Sequence, residues 1–407
     1  MATDDRTQRF LKPLVDALVE GRAATARHGS MRLPNRRDEE WRFVRLRRLT
    51  DMALTPPDAA ASWNPSSLER LRFEEPSARI VLVDGRYVEA WSEHSDDVQV
   101  RFGEPVDPAA FHDDVFATLN AAMAPGAVRI TVAEGTASGS VHVVHVSSAS
   151  EAAHIASPQI HIEVSDAAKI TVIEQYASLG AGPGFTNTVS AVTVGSNARC
   201  NHVIIQGEST GCVHINRRSV SVVEGSHYLS MAAHFGAGLS RQDVRASIGG
   251  PHATCELHGL AVLDGDQVSD THTVMDHERA HALSDQLHKC VAGEKSHSVF
   301  NGKIFVRQDA QQINAFQLNR NLLLSNKAKV DTKPQLEIFA DDVKCSHGAT
   351  IGQLDSDQLF YLATRGISPE QARGLLTYAF AAEVVEKVPV PSVRKLLERW
   401  IAEKVGY

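Results

Sequence analysis

Apolar positions along this 407-residue chain change their spacing twice. Near the start, Phe10, Leu11, Leu14, Val15 and Leu18 recur three and four residues apart, which predicts a helix over residues 6–28. Pro13 has no N–H to donate and shifts or kinks that helix, and Gly29 and Pro34 end it. A basic run over 42–48, with Phe43, Val44, Leu46 and Leu49 in and beside it, reads first as a solvated helix or turn flank and second as a docking patch. Residues 55–65, rich in Pro, Ala and Ser, read as a linker. A strand is expected over 79–83 before the turn pair Asp84-Gly85, and a short helix over 111–123 before Pro125-Gly126.

From Val128 the period shortens. β-Branched runs follow one another at 128–132, 141–146, 160–164, 170–173, 189–194, 203–205, 213–215, 220–223, 261–263, 299–306 and 322–324. Turn residues separate them at 180–184, 195–197, 264–265, 293 and 301–302. No stretch of helical period longer than about ten residues intervenes, so this region is β with little helix: a sandwich, a barrel or a solenoid. A weak internal echo points toward stacked coils. PQIHIEVSD at 158–166 matches PQLEIFADD at 334–342 at Pro, Gln, the aliphatic pair and the final Asp, and the turns at 166–169, 197–199 and 326–329 share their chemistry. Periodicity by itself leaves the choice even.

Past residue 351 the helical period returns. Asp355 with Gln358 forms a plausible capping box ahead of Leu359, Phe360, Leu362 and Ala363, and Gly366 stands as terminator. Ser368, Pro369 and Gln371 supply an N-cap, an N1 proline and an N3 glutamine for a second helix. Its stripe of Ala372, Leu375, Leu376, Ala379, Phe380 and Val384 either covers this chain's own core or meets a partner. Pro389 and Pro391 lie in the break before a last stripe of Val393, Leu396, Leu397, Trp400 and Ile401. Three regions are expected: a mostly helical 1–127, a β core at 128–350 and a helical 351–407.

At 43% hydrophobic and 22% charged the composition is that of a folded soluble chain. A net charge of −8 argues against nucleic acid or an anionic membrane as partner. No run approaches the roughly 20 apolar residues of a membrane span, and the first residues, MATDDRTQRFLKPLV, lack the h-region of a secretory signal. Five cysteines at 200, 212, 255, 290 and 345, without CxxC spacing, suit the reduced thiols of a cytoplasmic protein. Fifteen of the 19 histidines fall between 142 and 297; the expected reading is polar strand positions opposite a buried face, because no tight ligand spacing recurs. GEKS at 293–296 lacks the upstream glycine of a phosphate loop, and no nucleophile elbow, HExxH or EF-hand loop is present, so a stand-alone enzyme is not expected.

The densest candidate chemistry is ADDVKCSHGATIGQLDSDQLFYLATRGIS at 340–368. Cys345 and His347 stand two apart in a β-like segment, so both side chains point to one face and could reach iron or zinc. The bland alternative is a buried thiol and a hydrogen-bonded imidazole. A Cys345 nucleophile with His347 as base is disfavoured, since parallel side chains do not aim a base at its nucleophile. This stretch, with HSVFNGKIFV, INAFQLNRNLLLS and PQLEIFADDVK upstream and LPNRRDEEWRF at 33–43, closely resembles the SufB/SufD family, scaffold proteins of the SUF iron–sulfur cluster assembly system. CSHGAT is similar to the SufD branch; the SufB branch has Glu-His-Glu-Ala-Thr there and a longer chain.

The resemblance implies a right-handed parallel β-helix flanked by N-terminal and C-terminal helical domains. It implies partnership with SufB through the β-helix and with the SufC ATPase through the C-terminal helices, where Leu375, Leu376, Tyr378, Ala379 and Phe380 are the surface candidates. It also implies that His347, and more weakly Cys345, ligates a transient iron–sulfur cluster in the complex, with no cofactor held tightly by the isolated chain. Whether the isolated chain forms a homodimer stays open. The rivals are a carbohydrate-active β-helix enzyme, disfavoured by only 6% aromatic residues, and a homo-oligomeric structural protein.

Overall fold

The computed structural model describes residues 5–16, 32–55, 65–96, 98–105, 109–111, 113–137, 139–148 and 152–406. The strands are β1 Ala78–Val83, β2 Arg86–Tyr87, β3 Gln99–Gly103, β4 Ala127–Val132, β5 Gly139–Ser147, β6 His154–Ala156, β7 Gln159–Val164, β8 Lys169–Ser178, β9 Gly184–Val194, β10 Arg199–Gly207, β11 Cys212–Val222, β12 His227–His234, β13 Leu239–Ile248, β14 Thr254–Leu263, β15 Val268–His277, β16 Leu283–Ala292, β17 His297–Val306, β18 Ile313–Leu323, β19 Lys329–Ile338 and β20 Val343–Gly352. The helices are α1 Asp5–Asp16, α2 Arg47–Thr50, α3 Val115–Met123, α4 Ser356–Thr364, α5 Pro369–Val385 and α6 Pro391–Val405. Pro13 lies inside α1. The remainder of the helix expected to residue 28, and most of the linker expected over 55–65, lie outside the described residues.

Successive strands alternate between two sheets. One runs β2-β1-β5-β8 and then through the even strands to β20; the other runs β3-β4-β7 and then through the odd strands to β19. Pairing is parallel throughout except for β1 with β2 and β3 with β4. The fold is a parallel β-solenoid of about 7 turns, with helices toward both ends of the chain. Stacked positions are 26 residues apart at Val213 and Leu239 and 32 apart at His297 and Lys329. The β-region starts earlier than Val128, because β1 stacks on β5; the 1–127 segment, expected to be mostly helical, supplies three strands.

The sequence echo is partly geometric. β7 and β19 lie in one sheet, but the ladder places Ile160, not Pro158, in the column of Pro334, a slip of two that keeps each side chain on its face. At one edge of the solenoid Ala167, Asn197, Gly225, His252, His281 and Gln312 all take left-handed backbone, with φ from 56° to 63°. Each donates its N–H to a carbonyl of the next coil, as Ala167 does to Ser196 at 2.8 Å. That stacking holds non-glycine residues in a conformation that costs about 1 kcal/mol or more apiece. The turn at 326–329 joins β18 to β19 at the opposite edge and is not part of this column.

The interior between the sheets is aliphatic at one side, with Val172, Val192, Val220, Ala246 and Ile304 in one cluster. Both outer faces are also covered. Trp41, Val44, Leu46 and Leu49 pack on Phe185, Val213, Ile215 and Leu239, while Arg42, Arg45 and Arg47 stay exposed, so the 42–48 run is a solvated turn and helix flank whose apolar side docks on this chain's own solenoid. Val384, Val385, Val393, Leu397 and Ile401 cover Ile205, Met231, Leu260 and Val291 on the other sheet. Trp400 approaches so closely that a Cβ on Gly207 would lie 2.5 Å from its ring, which accounts for glycine at the end of β10. The caps follow local chemistry: Asp355 accepts from the Asp357 and Gln358 amides, Ser368 and Gln371 form a reciprocal capping box, and Gly366 has φ 81°.

Candidate functional site

Strand β20 pairs with β18, and β19 with β17; among the described residues neither has a neighbour on its other side. The last coil is therefore open, with a row of strand-edge amides and carbonyls facing outward. Register sets Cys345 beside Ala315 and His347 beside Gln317, both of which are buried and face the interior. Cys345 and His347 thus share the inner face at the mouth of the solenoid. Cys345 is half-buried against the apolar interior, and His347 is exposed. Gly348 turns to the other face, where a Cβ would sit 3.1 Å from Leu318.

Cys345 heads an inward column that runs through Ala315, Ser284, Cys255 and Tyr228 to Cys200. Burial pushes the Cys200 and Cys290 thiols up to about 12 and Cys212 up to about 11, and raises Cys255 beyond the usual thiol range. Such thiols are inert at neutral pH. Cys345 is the one half-exposed cysteine, and burial raises its pKa too, opposite to the shift a nucleophile needs.

Around the open coil lie exposed apolar side chains. Phe339 is 61% exposed, Phe360 72% and Tyr361 57%, with Phe316, Ile338 and Ile351 also exposed. Helix α4 has no buried residue, so Phe360, which the sequence placed with Leu359, Leu362 and Ala363 in the helix, faces outward, as does Tyr361. On α5 the buried face is Ala372, Gly374, Thr377, Ala381, Val384 and Val385; it keeps Ala372 and Val384 of the expected stripe but turns Leu375, Leu376, Ala379 and Phe380 away from its centre. Of the surface candidates, Ala379 is exposed and Leu375, Leu376, Tyr378 and Phe380 are half-buried. Lys289 donates to the Phe380 carbonyl at 2.8 Å and lies 4.5 Å from its ring, tying this helix to β16.

Two constellations escaped sequence reasoning. The first explains the 33–43 segment. Trp41 lies under the Arg241 guanidinium at 3.8 Å, and Glu40 accepts from His272 at 2.9 Å. A chain of alternating charge links Asp114, Arg217, Asp243, Arg241, Asp270, His272 and Glu40. The second is a set of buried histidines. His142, His145, His202, His214, His234, His258, His272, His277 and His288 are all buried, not solvent-facing polar positions as expected. Several are paired, as His202 is with Glu174 at 2.8 Å and Tyr228 at 2.9 Å. An alternating pattern marks one face of a strand but not whether that face meets water.

The family model for the SUF system FeS cluster assembly SufBD core domain matches residues 145–380, which spans the solenoid from β5 into α5. The chain belongs to the SufBD family of iron–sulfur cluster assembly proteins. It is 33% identical to the iron–sulfur cluster assembly protein SufD of Escherichia coli, over 87% of this chain and 85% of that protein. It is 32% identical to a SufBD family protein of Synechocystis sp., over 92% of this chain and 88% of the relative, and 28% identical to SufD of Bacillus subtilis, over 77% and 71%. Among the described residues no helix is long and apolar enough to cross a membrane.

Proposed function

We propose that this chain is the SufD-type subunit of a cytoplasmic SufB–SufC–SufD scaffold, catalysing nothing by itself and helping to build nascent iron–sulfur clusters for transfer to apoproteins. The observation that carries this reading is the open last coil. It offers a strand edge, an exposed apolar surround and His347 at one place, and a second solenoid of the same family is the natural complement to such an edge. SufB is assigned to that end. His347 then supplies an imidazole ligand to the cluster, which is cargo here, and Cys345 beside it is the weaker candidate. Ligands shared across an interface allow release, because parting the chains breaks the coordination shell. SufC is assigned to the C-terminal helices, where it supplies the nucleotide hydrolysis for which this chain has no phosphate loop.

His347→Ala is the direct test. The side chain is exposed on an end strand, so folding should change by only about 0.5 kcal/mol, the usual scale of a surface substitution. Iron and sulfide content of the assembled complex should nevertheless fall at least about 10–100-fold, the cost of losing even an outer-shell partner of a ligand, and Cys345→Ser should cost less. Normal cluster build-up in the His347→Ala complex would remove the ligand role.

The SufC assignment has its own measurement. Ala379 is exposed on α5, so Ala379→Asp should leave the fold intact while abolishing co-purification with SufC. Retained SufC after this change, or after deletion of residues 355–407, would place the ATPase elsewhere.

A further inference from the structure

On the outer face of the even-numbered sheet, three neighbouring coils bring together His227 of β12, Glu256 and His258 of β14, and Asp285 of β16. Leu257 lies in the interior cluster, so Glu256 and His258, flanking it, point outward. Register places Glu256 directly beside Asp285. Like charges at paired positions repel unless a cation lies between them. Asp285 has no hydrogen-bond or ion-pair partner among the described residues.

The donor geometry is compact. One ligand atom from each of Glu256, His258 and Asp285 lies within 4.8 Å of the other two. His258 Nε2 is 3.2 Å from one Glu256 oxygen, and His227 Nε2 is 2.8 Å from the other. The 3.2 Å between His258 and Glu256 matches a ligand–ligand edge of a shell with bonds of about 2.0–2.2 Å, and Asp285 stands close enough to close in on a shared ion. Both Glu256 oxygens thus face an imidazole nitrogen. His258 is buried, whereas Glu256, His227 and Asp285 are half-buried, which gives an ion a way in.

We propose that Glu256, His258 and Asp285 form a binding site for a divalent first-row transition ion, with His227 orienting Glu256 through its other oxygen. An imidazole with two carboxylates suits Fe(II), Co(II) or Zn(II), whereas Mg(II) and Ca(II) prefer all-oxygen cages. The site is separate from the solenoid mouth. Asp285 is two strand spacings from β20, roughly 10 Å, and on the opposite face of the sheet from His347. The proposal therefore does not rest on the role given to His347.

Cobalt(II) is the probe, titrated into the full-length chain carrying His347→Ala and Cys345→Ser, which removes the mouth as a competing site. One equivalent per chain should bind, with visible d–d absorption and a rise in Tm. Glu256→Gln and Asp285→Asn should each weaken binding at least tenfold. Asp285→Asn removes an unpartnered carboxylate beside another, so without metal its Tm should equal or exceed that of the parent, and a lost cobalt response cannot then be blamed on misfolding. Absence of a d–d band, or a band that persists unchanged in both variants, overturns the site and leaves a hydrogen-bonded His–Glu–His cluster.

Discussion

Below pH 6.5 this chain is expected to lose stability steeply and to unfold cooperatively before pH 4. Burial lowers His142, His234 and His288 to about 3 and His145 and His277 to about 4, with the Arg79 charge adding to the shift at His142. In the unfolded chain these rings titrate near 6.5. The sign follows from proton uptake. Between 6.5 and about 4 the unfolded state binds more protons than the folded state, so acid favours unfolding, and the loss accumulates until the folded values are reached. Each such histidine contributes a slope of about 1.4 kcal/mol per pH unit, and five together about 7. Set against a total stability of roughly 5–15 kcal/mol, that leaves one to two pH units of tolerance. Far-ultraviolet circular dichroism through an acid titration checks it. A chain that keeps its solenoid signal at pH 4 would show that these rings are not buried neutral.

Arg241→Met should destabilise the chain by about 3–5 kcal/mol, the cost of breaking a buried ion pair from one side. Arg241 is almost wholly buried, pairs with Asp243 at 2.8 Å and Asp270 at 2.5 Å, donates to the Glu40 carbonyl at 2.7 Å and covers Trp41. Removing it takes one of two cationic partners from each of Asp243 and Asp270, which keep Arg217 and His272, beneath the 33–43 segment. Urea unfolding measures the loss, and limited proteolysis should show that segment detaching first. Adding Asp270→Leu should recover part of the loss; no recovery would mean that contact with Trp41, not charge, dominates. The same network has an alkaline limit. His272 is raised to about 9, its burial outweighed by Asp270 and Glu40. A raised value stabilises fully below 6.5 and is lost as pH rises through 9, so Glu40→Gln should flatten stability over that interval.

Much of the solenoid was legible because its devices are local. The capping residues Asp355, Ser368 and Gln371, the terminator Gly366, and the side chains of Cys345 and His347 on one face depend on neighbours within a few residues. The α5 stripe was misplaced because a helix rich in Ala, Leu and Phe offers more than one apolar line. The line chosen is the one that meets β14 and β16.

Alone, then, the sequence determined where helix gives way to strand and returns, that stacked coils were among few choices, and which motif ties the chain to its family; it passed over β12, β13, β15 and β16, whose runs are rich in polar residues, and took Asn301-Gly302 for a turn although it lies within β17. Only the tertiary structure decided which strand faces are wet. Parallel coils covered inside by the opposite sheet and outside by terminal helices bury both faces, so alternation no longer reports exposure. It also decided which charges meet: His272 finds Glu40 across 232 positions and Arg217 finds Asp114 across 103. No local periodicity encodes such pairs. They exist because the N-terminal segment folds back over the finished solenoid, and burial there makes each pairing necessary.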